Sequence, residues 1–220
     1  MKRIILFAAA VSMSVTVAMA QQTQLEKGNI MLGVTSTASL GGSWGSDLMS
    51  IGILHTKVTS GSNTYNEHNN RSFSLIPKGS YFIMDNLAVG LQVLMARFSN
   101  QHVDSEGKWT ETTLGIGPFV RYYYPLEKVY PFAELETMIG SCVEKSPNSG
   151  SGYDETRYSL FTGGLYLGAA VPLGDKVTFD VMAGYLRTVW KETEENEDDF
   201  REIYIGPAVR MGFTIYLQTL

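Results

Sequence analysis

The sequence predicts an all-β chain, an eight-stranded antiparallel up-and-down barrel that crosses a membrane with its strands, and three observations carry that prediction. The clearest lies near the end. From Ile203 to Leu217, Ile203, Ile205, Pro207, Val209, Met211, Phe213, Ile215 and Leu217 alternate with Tyr204, Gly206, Ala208, Arg210, Gly212, Thr214 and Tyr216. A period of two sends successive side chains to opposite faces, so one face is wholly apolar while the other is small or polar and carries a charge. That suits lipid outside and a polar lumen inside, and the run exceeds the roughly 9 to 11 tilted residues a membrane strand needs. Secondly, the same alternation recurs along the chain. Thirdly, the connections are alternately short and long.

The elements follow in order. Lys2 and Arg3 precede an apolar stretch from Ile4 to Val11, and a more mixed run ends in Ala18-Met19-Ala20. This reads as an export signal, residues 1–20, cleaved after Ala20; a membrane helix would need roughly 20 apolar residues, and Ser12, Ser14 and Thr16 interrupt this one. Residues 21–220 are then the barrel domain. The single cysteine, Cys142, lies far from the cleavage site, so neither a lipid anchor nor an intramolecular disulfide is expected.

Ile30, Leu32, Val34, Ala38 and Leu40 share a face in the first strand, about Gly28 to Gly41. Phe73, Leu75, Pro77 and Tyr81 share one in the second, Arg71 to Met84. Asp85-Asn86 makes a tight turn, after which Leu87, Val89, Leu91, Val93 and Met95 form the third. Leu114, Ile116, Pro118, Val120, Tyr122 and Tyr124 form the fourth, ended by Pro125. Pro131, Ala133, Leu135 and Ile139 face outward in the fifth. Phe161, Leu165, Leu167, Ala169 and Val171 mark the sixth, closed by Pro172-Leu173-Gly174-Asp175. Val177, Phe179, Val181, Ala183 and Tyr185 mark the seventh, and Ile203 to Leu217 is the eighth.

Turns around Asp85, Glu127 and Gly174 are short. The alternate connections, Gly42 to Asn70, Asn100 to Thr110, Lys145 to Thr156 and Lys191 to Arg201, are long and polar. Outer-membrane barrels keep short turns on the periplasmic rim and long loops outside. Leu48, Ile51, Ile53 and Val58 predict a β-hairpin within the first loop. Tyr81, Tyr122, Tyr124, Tyr130 and Phe132 gather near the short-turn rim and are expected to form an interfacial girdle.

The net charge of -5 and a mean hydropathy of -0.03 are compatible with this, because inward residues dilute the apolar signal of barrel strands. The acidic balance gives no support to nucleic-acid binding.

The inward register places Lys78, Arg121 and Arg210 with Glu134, Glu136 and Asp180. Buried charges have to be paired and hydrogen-bonded, so this balanced set predicts a lumen ion-pair network, favoured over a selectivity constriction or proton path because side chains nearly fill an eight-stranded barrel. Glu134 and Glu136 resemble a glycosidase pair only by chance spacing. His55, His68 and His102 fall in predicted loops without metal-site spacing. The run Glu192, Glu194, Glu195, Glu197, Asp198, Asp199 lacks the ordered spacing of a calcium loop and reads as a charged surface segment. No nucleophile elbow, phosphate-binding loop or internal repeat is found, so no catalytic residue, cofactor or metal site is expected.

The blocks Phe73-Ser-Leu-Ile-Pro-Lys-Gly-Ser-Tyr-Phe, Asp85-Asn-Leu-Ala-Val-Gly, Leu114-Gly-Ile-Gly-Pro-Phe-Val-Arg-Tyr-Tyr-Tyr-Pro-Leu and Tyr130-Pro-Phe-Ala-Glu resemble the outer-membrane β-barrel family common in Bacteroidetes-type bacteria. They are broadly similar to the small OmpA-type and OmpX-type barrels as well. The resemblance implies fold and outer-membrane location but no single activity. The chain departs from the terminal aromatic common to signals for the barrel-assembly machinery, ending Tyr216-Leu217-Gln218-Thr219-Leu220, so assembly is expected to rely on Phe213 and Ile215. Two function classes remain. One is a non-enzymatic anchor whose loops serve envelope integrity or adhesion, meeting a host surface, a neighbouring protein or lipopolysaccharide. The other is a narrow pore or small-ligand barrel.

Overall fold

The computed structural model describes residues 23–39, 52–60, 63–102, 107–124, 126–148, 152–193 and 201–218. Within them run nine strands: β1 Ile30–Ser39, β2 Gly52–Ser60, β3 Asn63–Met84, β4 Leu87–His102, β5 Lys108–Tyr123, β6 Tyr130–Pro147, β7 Tyr153–Pro172, β8 Val177–Glu192 and β9 Arg201–Leu217. Every pairing is antiparallel, and all but the closing ones join chain neighbours. β1 closes the ring by pairing with β9 through Ile30 opposite Leu217 and with β3 through Ile30 opposite Tyr81. Eight strands make the barrel. Among the described residues the ninth, β2, pairs with β3 alone, from Gly52 opposite Ser72 to Ser60 opposite Asn63, and forms the hairpin expected in the first long connection.

The turns show why the chain reverses where it does. Asn86 takes the left-handed conformation at φ 66°, which its side chain tolerates, and links β3 to β4 in a two-residue turn. On the same rim a short 3-10 turn, Thr23–Leu25, folds beneath the barrel. Asn86 N–H donates to the Leu25 carbonyl at 2.8 Å, and Lys27 N–H to Asp85 Oδ1 at 2.8 Å. Gly28 sits at φ 99°, which costs other residues strain, and turns the chain into β1.

Outward faces match the sequence pattern. Leu32, Phe73, Leu91, Leu114, Ile116, Leu135, Ile139, Leu165, Leu167, Ile205, Met211 and Phe213 are exposed, while the alternate residues are buried within the barrel. The core is therefore the lumen, and the apolar surface is outside.

Three expectations need correction. Strand pairing runs further than the apolar pattern: residues 63–70, 108–110, 145–147 and 153–156 were expected in loops and are paired strand. Their two faces are both polar, which removes the periodic signal while leaving backbone pairing intact. For the same reason His55, His68 and His102 lie on strands, and the register sets His68 opposite His102. Thirdly, Tyr81, Tyr122 and Tyr124 face outward as a girdle requires, but Tyr130 and Phe132 are buried in the lumen because they share the parity of Glu134 and Glu136. Residues 1–20, expected to be an export signal, together with Pro125, Leu48, Ile51 and residues 194–199 of the acidic run, lie outside the described residues.

Candidate functional site: the barrel interior

Inward side chains stack in layers along the axis. Nearest the short turns is an aromatic layer in which Phe82, Tyr123, Phe132 and Tyr216 meet with ring centroids 5.6 to 6.4 Å apart. Leu25, supplied by the turn beneath, joins that cluster. Further along, Ile76, Leu94, Met138, Cys142, Leu160 and Trp190 form a second apolar layer. Charges are threaded among these layers.

Inward parity on β3, β5, β6, β8 and β9 brings all six sequence-selected residues into the interior, each at most 4% exposed. They connect as two groups. In one, Lys78 Nζ reaches Glu134 Oε1 at 2.7 Å and Arg121 Nε reaches Glu134 Oε2 at 2.6 Å. Arg121 Nη1 continues to Asp180 Oδ2 at 2.6 Å. In the other, Arg210 grips Glu136 in a bidentate fork at 2.5 and 2.6 Å, the geometry in which guanidinium and carboxylate pair most strongly.

The remaining lone pairs are also engaged. Gln92 Nε2 donates to Glu136 Oε2 at 2.7 Å. Hydroxyls of Thr178 and Thr214 donate to Asp180 at 2.7 and 2.8 Å. Arg121 Nη1 donates to the Tyr123 hydroxyl at 3.0 Å, and Tyr216 links to Tyr123 at 3.1 Å. Rings cover the cations: Arg121 lies 4.1 Å from the Phe132 centroid, Arg210 lies 4.4 Å from that of Tyr166, and Lys78 Nζ is 4.9 Å from that of Phe119. Sequence reasoning overlooked Gln92, Thr178 and Thr214. Their signal was inward parity, which selects polar uncharged residues as readily as charged ones.

Glycines make the room. Ideal Cβ atoms at Gly164 and Gly184 would strike the Tyr166 ring, so the aromatic lies across two positions that lack side chains and carries Arg210 on its face. Glu134 and Glu136 are each engaged by cations, Glu134 by Lys78 and Arg121 and Glu136 by Arg210. Among the described residues no group of three or more His, Cys, Asp or Glu is placed to hold a metal. Above the apolar band, Glu155 accepts from Lys145 and Arg157, and those hydrogen bonds hold its carboxyl below the usual range.

A closed barrel with an apolar exterior and a packed charged lumen has the architecture of small outer-membrane β-barrels. Solved structures to which the chain is similar include the outer membrane protein OprG from Pseudomonas aeruginosa, at 10% identity over 90% of this chain and 99% of that one, TM-score 0.48. Ail, the attachment invasion locus protein of Yersinia pestis, is similar at 11% identity over 87% and 99%, TM-score 0.46. A major outer membrane protein from Thermus thermophilus is similar at 11% identity over 86% and 98%, TM-score 0.39. No protein-family description matches the sequence, and no curated protein does.

Proposed function

We propose that the chain is an integral outer-membrane protein, exported by the cleavable segment 1–20, whose barrel is a non-enzymatic anchor and whose long connections face outside the cell to meet an extracellular partner. The observation that carries this reading is the filled lumen. Arg121, Arg210, Tyr123, Tyr166, Tyr216, Phe82 and Phe119 are all less than 2% exposed inside the ring, where a pore would need space. Chemistry is then left to the other end. β3 is 22 residues long, and at about 3.4 Å per residue it reaches well beyond a hydrocarbon core of about 30 Å. Its outer part pairs with β2 as a projecting ribbon.

Planar-bilayer recording of the purified barrel tests this. The anchor reading expects no steady conductance, together with normal assembly but lost surface binding after removal of residues 52–66. Large, steady, solute-selective conductance would instead establish a transport barrel.

A further inference from the structure

Beyond the apolar band the strands continue as polar ribbons, and there the period of two sorts charge by sign. Glu111, Glu144 and Glu192 occupy inward positions. Outward positions on β3, β4 and β5 carry Arg71, Arg97 and Lys108. Lys191 and Arg201, opposite each other, do the same on β8 and β9. Among the described side chains the outward acid in this zone is Glu155, already held by Lys145 and Arg157. A chain of net charge -5 thus turns a basic collar toward whatever surrounds its upper wall.

The first group is the more sharply defined. Arg97 is the Cα partner of Phe73, and Arg71 that of Ser99 two residues along, so the two arginines are diagonal neighbours about 7 to 8 Å apart. Both are exposed. Lys108 lies on the next strand, four residues above the Thr112 that faces Arg97, or about 13 Å along the wall. Phe73 lies beside Arg97 and beneath Arg71, and Leu114, Ile116 and Leu91 follow lower on the same outward face, all exposed. Cations set immediately above an apolar wall complement an amphiphile whose acyl chains follow the wall and whose anionic head sits at its upper edge. Arginine forks match phosphate oxygens in particular.

We propose that Arg71, Arg97 and Lys108 form a clamp for the phosphate groups of a polyphosphorylated lipid of the outer leaflet. This rests on the membrane-anchor reading above, and names the lipid chemistry that the barrel's collar would select. Each cation near an anionic lipid surface contributes a factor of about five in association, so the three together contribute on the order of a hundredfold.

The test uses the full mature barrel reconstituted in phosphatidylcholine vesicles doped with diphosphorylated lipid A or with its dephosphorylated counterpart, lipid retention being read by native mass spectrometry. The parent is expected to retain the phosphorylated lipid selectively, and the Arg71→Gln, Arg97→Gln, Lys108→Gln variant to lose most of that selectivity. Lys128→Gln on the opposite rim should behave as the parent, and millimolar inorganic phosphate should not compete, which distinguishes a lipid from the free anion. Equal retention of the two lipids, or an unaltered triple variant, overturns the clamp and leaves simple interfacial snorkelling. The gel shift of the unheated barrel reports folding independently; if the triple variant lacks it, Arg97→Gln alone decides. Absence of that shift in the parent would instead defeat the membrane-anchor reading.

Discussion

Replacing Arg121 with leucine should cost about 3 to 5 kcal/mol, because it strands a buried charge. The structure says which one. Glu134 keeps Lys78 at 2.7 Å after the change, whereas Asp180 keeps only the Thr178 and Thr214 hydroxyls. Those two donors cannot neutralise a carboxylate that is 1% exposed. Lys78→Met should therefore cost less than Arg121→Leu, since Glu134 retains Arg121 at 2.6 Å. Replacing both Arg121 and Asp180 by leucine should recover much of the loss, since no unpaired ion remains on that side. Urea unfolding in detergent micelles of the parent, Arg121→Leu, Asp180→Leu and the double variant, followed by tryptophan fluorescence and by the mobility of the unheated protein, gives the four values of a double-mutant cycle. An Arg121→Leu variant within about 1 kcal/mol of the parent would refute the argument, because only a lumen wet enough to solvate Asp180 could absorb the change so cheaply.

The protein should fractionate with outer membranes and run anomalously on gels when unheated; recovery of the mature chain in the soluble periplasmic fraction would contradict the anchor. Phe213→Asp should block insertion, since Phe213 faces outward against Phe179 at 5.3 Å and an acid on a lipid-facing position is destabilising. The loss of the folded gel band measures it, and unchanged assembly would show that the C-terminal alternation is not the insertion signal.

The alternation of Ile203 to Leu217 and its counterparts made the barrel legible because lipid on one side imposes a strict period of two. The same parity reached the interior: Lys78, Arg121, Glu134, Glu136, Asp180 and Arg210 were legible from the sequence alone. Their pairing was not. Arg121 meets Asp180 across 59 residues of sequence and Arg210 meets Glu136 across 74, and the stagger of the whole ring decides such meetings. Tyr130 and Phe132 show the opposite failure: their parity with Glu134 assigned them inward, and proximity to the rim was the weaker cue. The ribbons above the membrane band stayed illegible because polar residues on both faces leave no apolar alternation to read. Leu25 was out of reach too, since it precedes the first strand and enters the lumen through a turn held to Asn86.

A lumen of ion pairs also serves a purpose that an apolar filling of equal volume would not. Buried pairs contribute little net stability relative to well-packed hydrophobic residues, so thermodynamics alone does not explain six charges inside this ring. Register does. A slip of one residue at a strand boundary would reverse every side chain on that strand. Slipping β5 would turn Arg121 outward and break its bonds to Glu134 and Asp180, leaving the buried Asp180 carboxylate without a cation. An interior of leucine would look much like the outside and would penalise the same slip far less. The doubly substituted Arg121→Leu, Asp180→Leu barrel should accordingly be near the parent in stability but poorer in uniqueness. Refolded into vesicles, it should give more than one folded gel band, or a slow phase absent from the parent. A single band formed at the parental rate would show that the turns and the lipid-facing residues set the register alone.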